Sequence, residues 1–152
     1  MESPVDLILS HAVLEWVADP QALCRRSGRY LPRWRAVADV YNANGLLMRN
    51  VLVGNFGYVQ QGMYKKKRRT LSPDFPRDPQ QVYGWLEAMG WQIAGKTGIR
   101  VFHDYLRDKQ KQHDCFDALT ELETRYCRQE PWISLGRYIH VTAHKPQSKD
   151  NL

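Results

Sequence analysis

The first feature along the chain is a short apolar run over residues 5–9, followed directly by polar positions that include His11. Such a near-continuous apolar run is typical of an inner strand that is covered on both faces. Asp19 and Pro20 then supply a helix cap and a residue suited to the first helical turn, which predicts a helix over residues 20–30. Because open α/β sheets bind ligands at the carboxyl ends of their strands, His11 is the first candidate site residue.

Apolar periodicity predicts the later elements. Residues 45–53, 55–63, 79–89 and 114–128 have the pattern of helices, and Gly90 is placed to end the third of them. Residues 91–102 predict a pair of strands broken at 95–98, and the alternation over 138–143 predicts a last strand. The order of these elements predicts an α/β fold.

Residues 33–40 fit this order poorly. A buried strand is expected here, yet the segment contains Arg33, Arg35 and Asp39. Burying unpaired charge is costly, so such content disfavours a central parallel strand. We therefore expect the strand over 33–40 to be weak or absent.

Composition adds a charge signal. The chain has 152 residues, of which 43% are hydrophobic, and this is enough for the core of one domain. Its formal net charge is +6, and five of its cations are consecutive: Lys65, Lys66, Lys67, Arg68 and Arg69. This concentration favours nucleic acid as a partner, bound through phosphates, and the alternative is a solvated loop without a partner.

The cysteines and the apolar segments exclude several classes of protein. Three widely spaced cysteines are not the pattern of a disulfide framework. Together with the lack of an export signal, they predict a cytoplasmic location for the protein. No apolar run has the length of a membrane span. His113, Cys115 and Cys127 match no closed zinc pattern, so we expect no metal site.

Five stretches together resemble the class I S-adenosylmethionine-dependent methyltransferases, and among them the bacterial enzymes that modify tRNA. They are VDLILSHAVLEWVADP (residues 5–20), YNANGLLM (41–48), KKKRRTLSPD (65–74), RVFHDYL (100–106) and ETRYCRQEP (123–131). The first stretch resembles the fourth strand and following helix of the family. The resemblance thus implies only the carboxyl-terminal part of a Rossmann-like sheet, without the first strands and the Gly-rich turn. It implies a methyltransferase domain over residues 1–144, with a basic insertion at 64–77 and a polar tail at 145–152.

The resemblance also implies a reaction and its site residues. A methyl group would pass from S-adenosylmethionine to the carboxylate of 5-carboxymethoxyuridine at the wobble position of tRNA. A carboxylate is already ionised at neutral pH, so the reaction needs alignment rather than a catalytic acid or base, and we assign no catalytic residue. By this resemblance, His11 matches the residue that contacts the cofactor, and Tyr41 and Asn42 would line the same crevice. Arg100 and His103 would hold the substrate carboxylate. Residues 65–69 would bind tRNA.

Two further expectations follow from the partial match. The turn and the acidic residue with which the family binds its cofactor are not in this sequence, so we expect little or no activity from the 152 residues alone. The alternatives are a tRNA-binding remnant without chemistry and an unstable product of a decayed gene.

In the family, a Pro-Gly-Gly turn and an apolar strand occupy residues 32–40. Plausible codons for this segment, read one base later, encode Pro-Gly-Gly-Ala-Leu-Ser-Leu-Met, so we hypothesise two compensating frameshifts.

Overall fold

The structure is a computed structural model, and it describes residues 7–27, 35–63 and 73–146. The strands are β1 (Leu7–Ser10), β2 (Arg35–Tyr41), β3 (Gln92–Ile99) and β4 (Tyr138–His144). The helices are α1 (Pro20–Ser27), α2 (Ala43–Leu52), α3 (Phe56–Gln60), α4 (Pro79–Ala88), α5 (Lys111–Asp114), α6 (Phe116–Tyr126) and α7 (Trp132–Leu135), with a 3₁₀ turn at His103–Tyr105. Within these residues, no helix is both long and apolar enough to cross a membrane.

The described strands form one sheet in the order β1-β2-β4-β3. Strands β1 and β2 are parallel, and β4 runs antiparallel to its two neighbours. As a result β1, β2 and β3 point the same way. Their carboxyl ends, together with the start of β4, form one edge of the sheet, which we call the carboxyl edge. The α/β fold predicted from the sequence is confirmed.

The expectation of a weak or absent strand over residues 33–40 is wrong. Strand β2 is central and regular, and it pairs with β1 on one side and with β4 on the other. The charge of Asp39 is accommodated because its carboxylate lies 2.9 Å from His11 Nε2 and 3.5 Å from His140 Nδ1. The next residue, Val40, is fully buried in the core. A charged residue thus fits a central strand when it lies at the carboxyl edge with partners.

The predicted break at residues 95–98 is also wrong. Strand β3 is one continuous strand with an irregularity in register between Ile93 and Gly95. Gly98 does not form a turn but permits close packing, since a Cβ there would lie 2.6 Å from Val101 Cγ1 and 3.0 Å from the Cα of Ile133. Glycine within a strand often marks this kind of close approach.

Two smaller differences concern β1 and the helix predicted over residues 114–128. Strand β1 was expected to be covered on both faces, but Leu7 is 48% exposed and Leu9 is 67% exposed. The helix predicted over residues 114–128 is α6, which begins two residues later and ends two residues earlier, and Cys115 separates it from the short helix α5. The basic run at residues 65–69 and most of the tail lie outside the described residues.

The core lies between the sheet and helix α4. It consists of buried side chains from the turn after β1, from the two inner strands β2 and β4, from the residue before β3, and from α4 and α7: Leu14, Val40, Val82, Tyr83, Leu86, Trp91, Ile133, Ile139, Val141 and Ala143. Asp78 caps α4 by accepting a hydrogen bond from the Gln80 amide at 2.9 Å, and Pro79 occupies the first turn as the sequence predicted. Beside this core, an apolar cavity of about 230 Å³ lies between β1, β2, α1 and α4.

Candidate functional site

The carboxyl edge brings the predicted site residues of the described part of the chain to one side of the sheet. His11 follows β1, Tyr41 and Asn42 end β2, and Arg100 and His103 follow β3. The register aligns Tyr41 with Tyr138 and Tyr138 with Ile99, which places the ends of β2 and β3 on either side of the start of β4. The edge therefore has two parts, one around His11 and one around Arg100.

His11 lies at the β1 end of this edge. Its side chain is 84% exposed, and its Nε2 contacts the Asp39 carboxylate at 2.9 Å. The chain then turns sharply, because Ala12 has a φ of 51°, which is unusual for a residue with a side chain. The imidazole is thus held through its Nε2 atom, while most of the ring surface remains open to a ligand.

Tyr41 and Asn42 play different parts at the end of β2. The Tyr41 side chain is buried, and this burial raises the pKa of its hydroxyl. Its ring lies 5.5 Å from the ring of Tyr138, centroid to centroid. Asn42 is completely buried. Both of its amide hydrogens are used inside the protein, because Nδ2 donates to the carbonyl oxygens of Ser134 at 2.9 Å and Gly136 at 2.7 Å.

Asn42 also begins helix α2. Its Oδ1 accepts a hydrogen bond from the Asn44 amide at 2.9 Å, which is the usual capping geometry of asparagine. Asn42 therefore fixes the turn between β2 and α2 and brings Tyr41 to its position. This geometry supports a positioning part for Asn42 rather than a direct contact.

Arg100 and His103 belong to a charged cluster centred on Asp104. The Asp104 carboxylate accepts a hydrogen bond from Arg137 Nη1 at 2.6 Å, lies 3.0 Å from His103 Nδ1, and pairs with Arg100. Burial alone would raise the pKa of Asp104, but the bonds from Arg137 and His103 and the charge of Arg100 outweigh burial and lower it. The side chain of Arg100 is 42% exposed, so the cluster presents a cation at the surface.

Glu123 holds the loop that carries this cluster. Its carboxylate accepts backbone hydrogen bonds from Val101 at 2.7 Å, Phe102 at 2.9 Å and His103 at 2.8 Å. Arg100 itself has a φ of 60°, so the chain reverses direction at this residue. A groove of about 270 Å³ between β3 and α6 passes beside Arg100 and His103. The loop is thus fixed by a side chain from α6 while its two polar residues face open space.

Sequence reasoning missed Glu15 and Arg77. Glu15 is completely buried, and among the described residues neither of its carboxylate oxygens has a hydrogen-bond partner. Burial raises the pKa of Glu15, and the charge of Asp39 raises it further. Arg77 had been grouped with the basic insertion, but its side chain is turned inwards and bonds to the backbone of the turn after His11. No spacing signal relates two segments more than sixty positions apart.

Ser10 is the remaining polar residue at the β1 end. Its Oγ is buried and has no hydrogen-bond partner within the described ranges. It is the last residue of β1 and precedes His11 directly. No group of three or more His, Cys, Asp or Glu side chains in the described part of the chain is arranged to hold a metal ion.

The sequence is similar to tRNA 5-carboxymethoxyuridine methyltransferase. The proteins of that name from Escherichia coli strain K12 and from Escherichia coli O157:H7 are each 67% identical to it over 153 residues. The match includes the whole of this chain, which spans 59% of the length of these relatives. The resemblance to a tRNA-modifying methyltransferase, expected to be partial, is thus confirmed. No protein-family model matches the chain.

Among solved structures, mycolic acid cyclopropane synthase CmaA1, in a complex with SAH and CTAB, has a similar fold. The TM-score is 0.53 with 14% sequence identity, over 96% of this chain and 57% of that one. At this level of identity the likeness concerns the fold alone. It agrees with the α/β fold of this chain.

Proposed function

We propose that this chain is part of a tRNA methyltransferase that esterifies the carboxylate of 5-carboxymethoxyuridine with a methyl group from S-adenosylmethionine. The observation that carries the proposal is the 67% identity with the E. coli enzymes over the whole chain. The positions on the carboxyl edge support it, because that edge is where α/β sheets bind their ligands. Because the relatives are bacterial, we further propose that the protein works in the cytoplasm, where bacterial tRNA is found.

The residues at the β1 end fit part of the cofactor. When bound, S-adenosylmethionine supplies a methyl group on a sulfonium centre, which a carboxylate can attack without an added base. The open face of the His11 ring offers a packing surface, and the Ser10 hydroxyl, which has no hydrogen-bond partner among the described residues, offers a hydrogen bond. We assign the cofactor contact to His11, with Ser10 as a further candidate that the sequence did not indicate.

The residues at the β3 end fit the substrate carboxylate. A guanidinium binds a carboxylate with two parallel hydrogen bonds, and this both orients and partly neutralises it. The Arg100 guanidinium is partly exposed and is fixed by Asp104 and His103. We propose that Arg100 contacts the carboxylate, that His103 lies beside it, and that Tyr41 forms the wall between the two ends of the edge.

The tRNA itself is proposed to bind through phosphates. The formal charge of +6 and the five cations at residues 65–69 provide the attraction, without selecting a base. This basic run is also compatible with the alternative, in which the chain binds tRNA without chemistry. The two functions differ in whether the carboxyl edge binds a cofactor.

A chimera tests the proposal most directly. These 152 residues would replace the aligned part of the E. coli relative, and the product would be incubated with S-adenosylmethionine and tRNA that carries the carboxymethoxy group. Mass spectrometry of the nucleosides is expected to detect the methyl ester. A folded chimera that binds tRNA but forms no ester would favour the non-catalytic alternative and overturn the proposal.

The 152 residues alone serve as the matched sample in the same assay. We expect no detectable ester from them, because they span only 59% of the length of the relatives. Losing several hydrogen bonds to a charged cofactor, at about 1.5–3 kcal/mol each, moves a micromolar site beyond millimolar. Turnover comparable with that of the chimera would contradict this expectation.

A further inference from the structure

Arg77 joins three segments at the carboxyl edge. Its backbone N–H donates to the Tyr41 carbonyl at 2.8 Å, and its carbonyl accepts from the Ala43 amide at 2.9 Å. Its side chain extends the other way, where Nε donates to the Leu14 carbonyl at 3.1 Å and Nη2 donates to the Val17 carbonyl. One residue thus connects the end of β2 with the turn that follows His11.

The neighbours of Arg77 strengthen this connection. The Phe75 amide donates to the Glu15 carbonyl at 2.9 Å, so the segment that carries Arg77 is joined to the turn after His11 at a second point. The Arg77 guanidinium lies 5.1 Å from the centre of the Phe75 ring. Beneath it, the buried Glu15 carboxylate attracts the guanidinium electrostatically. These contacts hold the Leu14–Val17 turn against the sheet.

The position of this turn affects His11. Only two residues separate His11 from Leu14, and Ala12 between them adopts the left-handed conformation. A shift of the turn therefore moves the imidazole relative to Asp39, to which it is held by one contact. Backbone carbonyls bonded by a planar guanidinium are fixed in direction as well as distance, because its donors form a rigid fork.

We infer that Arg77 is a positioning residue of the candidate cofactor site, which sets the place of His11 by holding the turn between Leu14 and Val17. Arg77 itself does not contact the ligand. The placement of His11 by Arg77 is independent of the proposed reaction, while its importance for the cofactor rests on the proposed function.

The inference is tested on the 152-residue chain by NMR of the histidine rings, with His11 assigned from a His11→Gln variant. Arg77→Ala is expected to shift the His11 ring signals and to reduce the protection of the Phe75 amide from exchange by at least about 10-fold, since local opening controls that exchange. The signals of His103, in the cluster around Asp104, and of His113, in α5, are expected to stay in place and to report an intact fold. Arg107→Ala, which removes an exposed cation elsewhere, is the matched control and should change neither readout.

Arg77→Lys provides the second variant. It keeps the charge but lacks the fork that reaches both carbonyls, so it is expected to shift the His11 signals in the same direction and by less. If Arg77→Ala does not fold, Arg77→Lys decides by the same criteria. His11 signals that stay at their wild-type positions in a folded variant would overturn the inference, and so would a uniform shift of all histidines. Neither result depends on whether the chimera methylates tRNA.

Discussion

His11 and Asp39 join the ends of two parallel strands at the part of the carboxyl edge to which we assign the proposed cofactor contact. The 2.9 Å contact between His11 Nε2 and the Asp39 carboxylate crosses from the loop after β1 to the last residues of β2. It serves two purposes, since it gives a charged residue in a central strand a partner and it holds an otherwise exposed imidazole. The two purposes are separable by experiment.

Replacing His11 with Ala should affect function more than stability. The ring is 84% exposed, and exposed ion pairs are typically worth about 0–1 kcal/mol, so the free energy of unfolding should fall by less than about 1 kcal/mol. In the chimera, the same change should raise the KM for S-adenosylmethionine by about 10-fold, which corresponds to about 1.4 kcal/mol of binding free energy. Urea denaturation and initial rates measure the two quantities. An unchanged KM would remove His11 from the cofactor site.

Arg100→Lys should impair the use of the tRNA substrate in the chimera. Lysine keeps the charge but cannot bind a carboxylate with two parallel hydrogen bonds, so we expect kcat/KM for tRNA to fall by about 10- to 100-fold. The KM for S-adenosylmethionine should change little, because Arg100 lies at the other end of the edge. Arg107→Lys, the same exchange at an exposed position, is the matched control. A kcat/KM for tRNA that stays at the wild-type value in Arg100→Lys would show that Arg100 acts only through its charge.

Glu15→Gln should change how stability depends on pH. The raised pKa means that the folded protein holds the proton of the Glu15 carboxyl more tightly than the unfolded chain does. Glutamates in an unfolded chain titrate at about pH 4.3. The contribution of Glu15 to stability is therefore complete below about pH 4 and is lost as pH rises through the raised value. We expect the glutamine variant to gain about 1 kcal/mol relative to wild type between about pH 4 and pH 8.

The control for this measurement is Glu121→Gln. Glu121 is 68% exposed and pairs with Arg125 one helical turn away. The free-energy difference between this variant and wild type should stay within about 0.5 kcal/mol over the same range, as is usual for a surface pair on a helix. A pH-independent difference at Glu15 as well would mean that its carboxyl titrates as it does in the unfolded chain.

The sequence predicted the fold through local signals that the structure preserves. Asp78 and Pro79 begin α4 as predicted, and alternation predicted β4 within one residue. The error in β2 arose because a charged residue was judged without its partners. His11 and His140, which pair with Asp39, come from other parts of the sheet, and only the register of the strands brings them near.

The candidate site was predictable to a similar degree. Strand ends identified the carboxyl edge, and the family resemblance selected residues on it. The contacts that fix those residues were not predictable, because Arg77 and Glu123 act across long stretches of sequence on backbone atoms, which leave no side-chain pattern. Asn42, expected near the substrate, turned out to be fully engaged with the backbone of the α7 region.

Gly98→Ala should destabilise the protein, and Gly84→Ala should stabilise it. A Cβ at Gly98 would lie 2.6 Å from Val101 Cγ1, so the neighbours must move, and overpacking of this kind costs about 1–3 kcal/mol. Gly84 lies within α4, and a Cβ there would meet no atom within 4 Å among the described residues outside its own helix backbone. Alanine in a helix interior is favoured over glycine by about 1 kcal/mol. Urea denaturation of both variants checks the contrast, and two changes of the same sign would contradict the packing described for β3.

The basic run is the last feature to test, and its function is separable from that of the carboxyl edge. Replacing Lys65, Lys66 and Lys67 with Ala should weaken binding to all tRNA species alike, because phosphate contacts carry no base identity. The slope of log affinity against log salt concentration should flatten by about 0.7–0.9 for each phosphate that is no longer neutralised. Filter binding at several salt concentrations measures both effects on the 152-residue chain.

A second triple variant controls for net charge in this binding experiment. Ala at Arg26, Arg107 and Lys111, all exposed, removes the same three charges from a chain of formal charge +6. If residues 65–67 contact phosphates directly, this control should keep most of the salt slope while the slope of the first triple variant flattens. Long-range attraction alone would lower affinity equally in both, because it depends on total charge. Unchanged affinity and slope in the first triple variant would mean that the run is a solvated loop, and tRNA would then have to be bound by other cations of the chain.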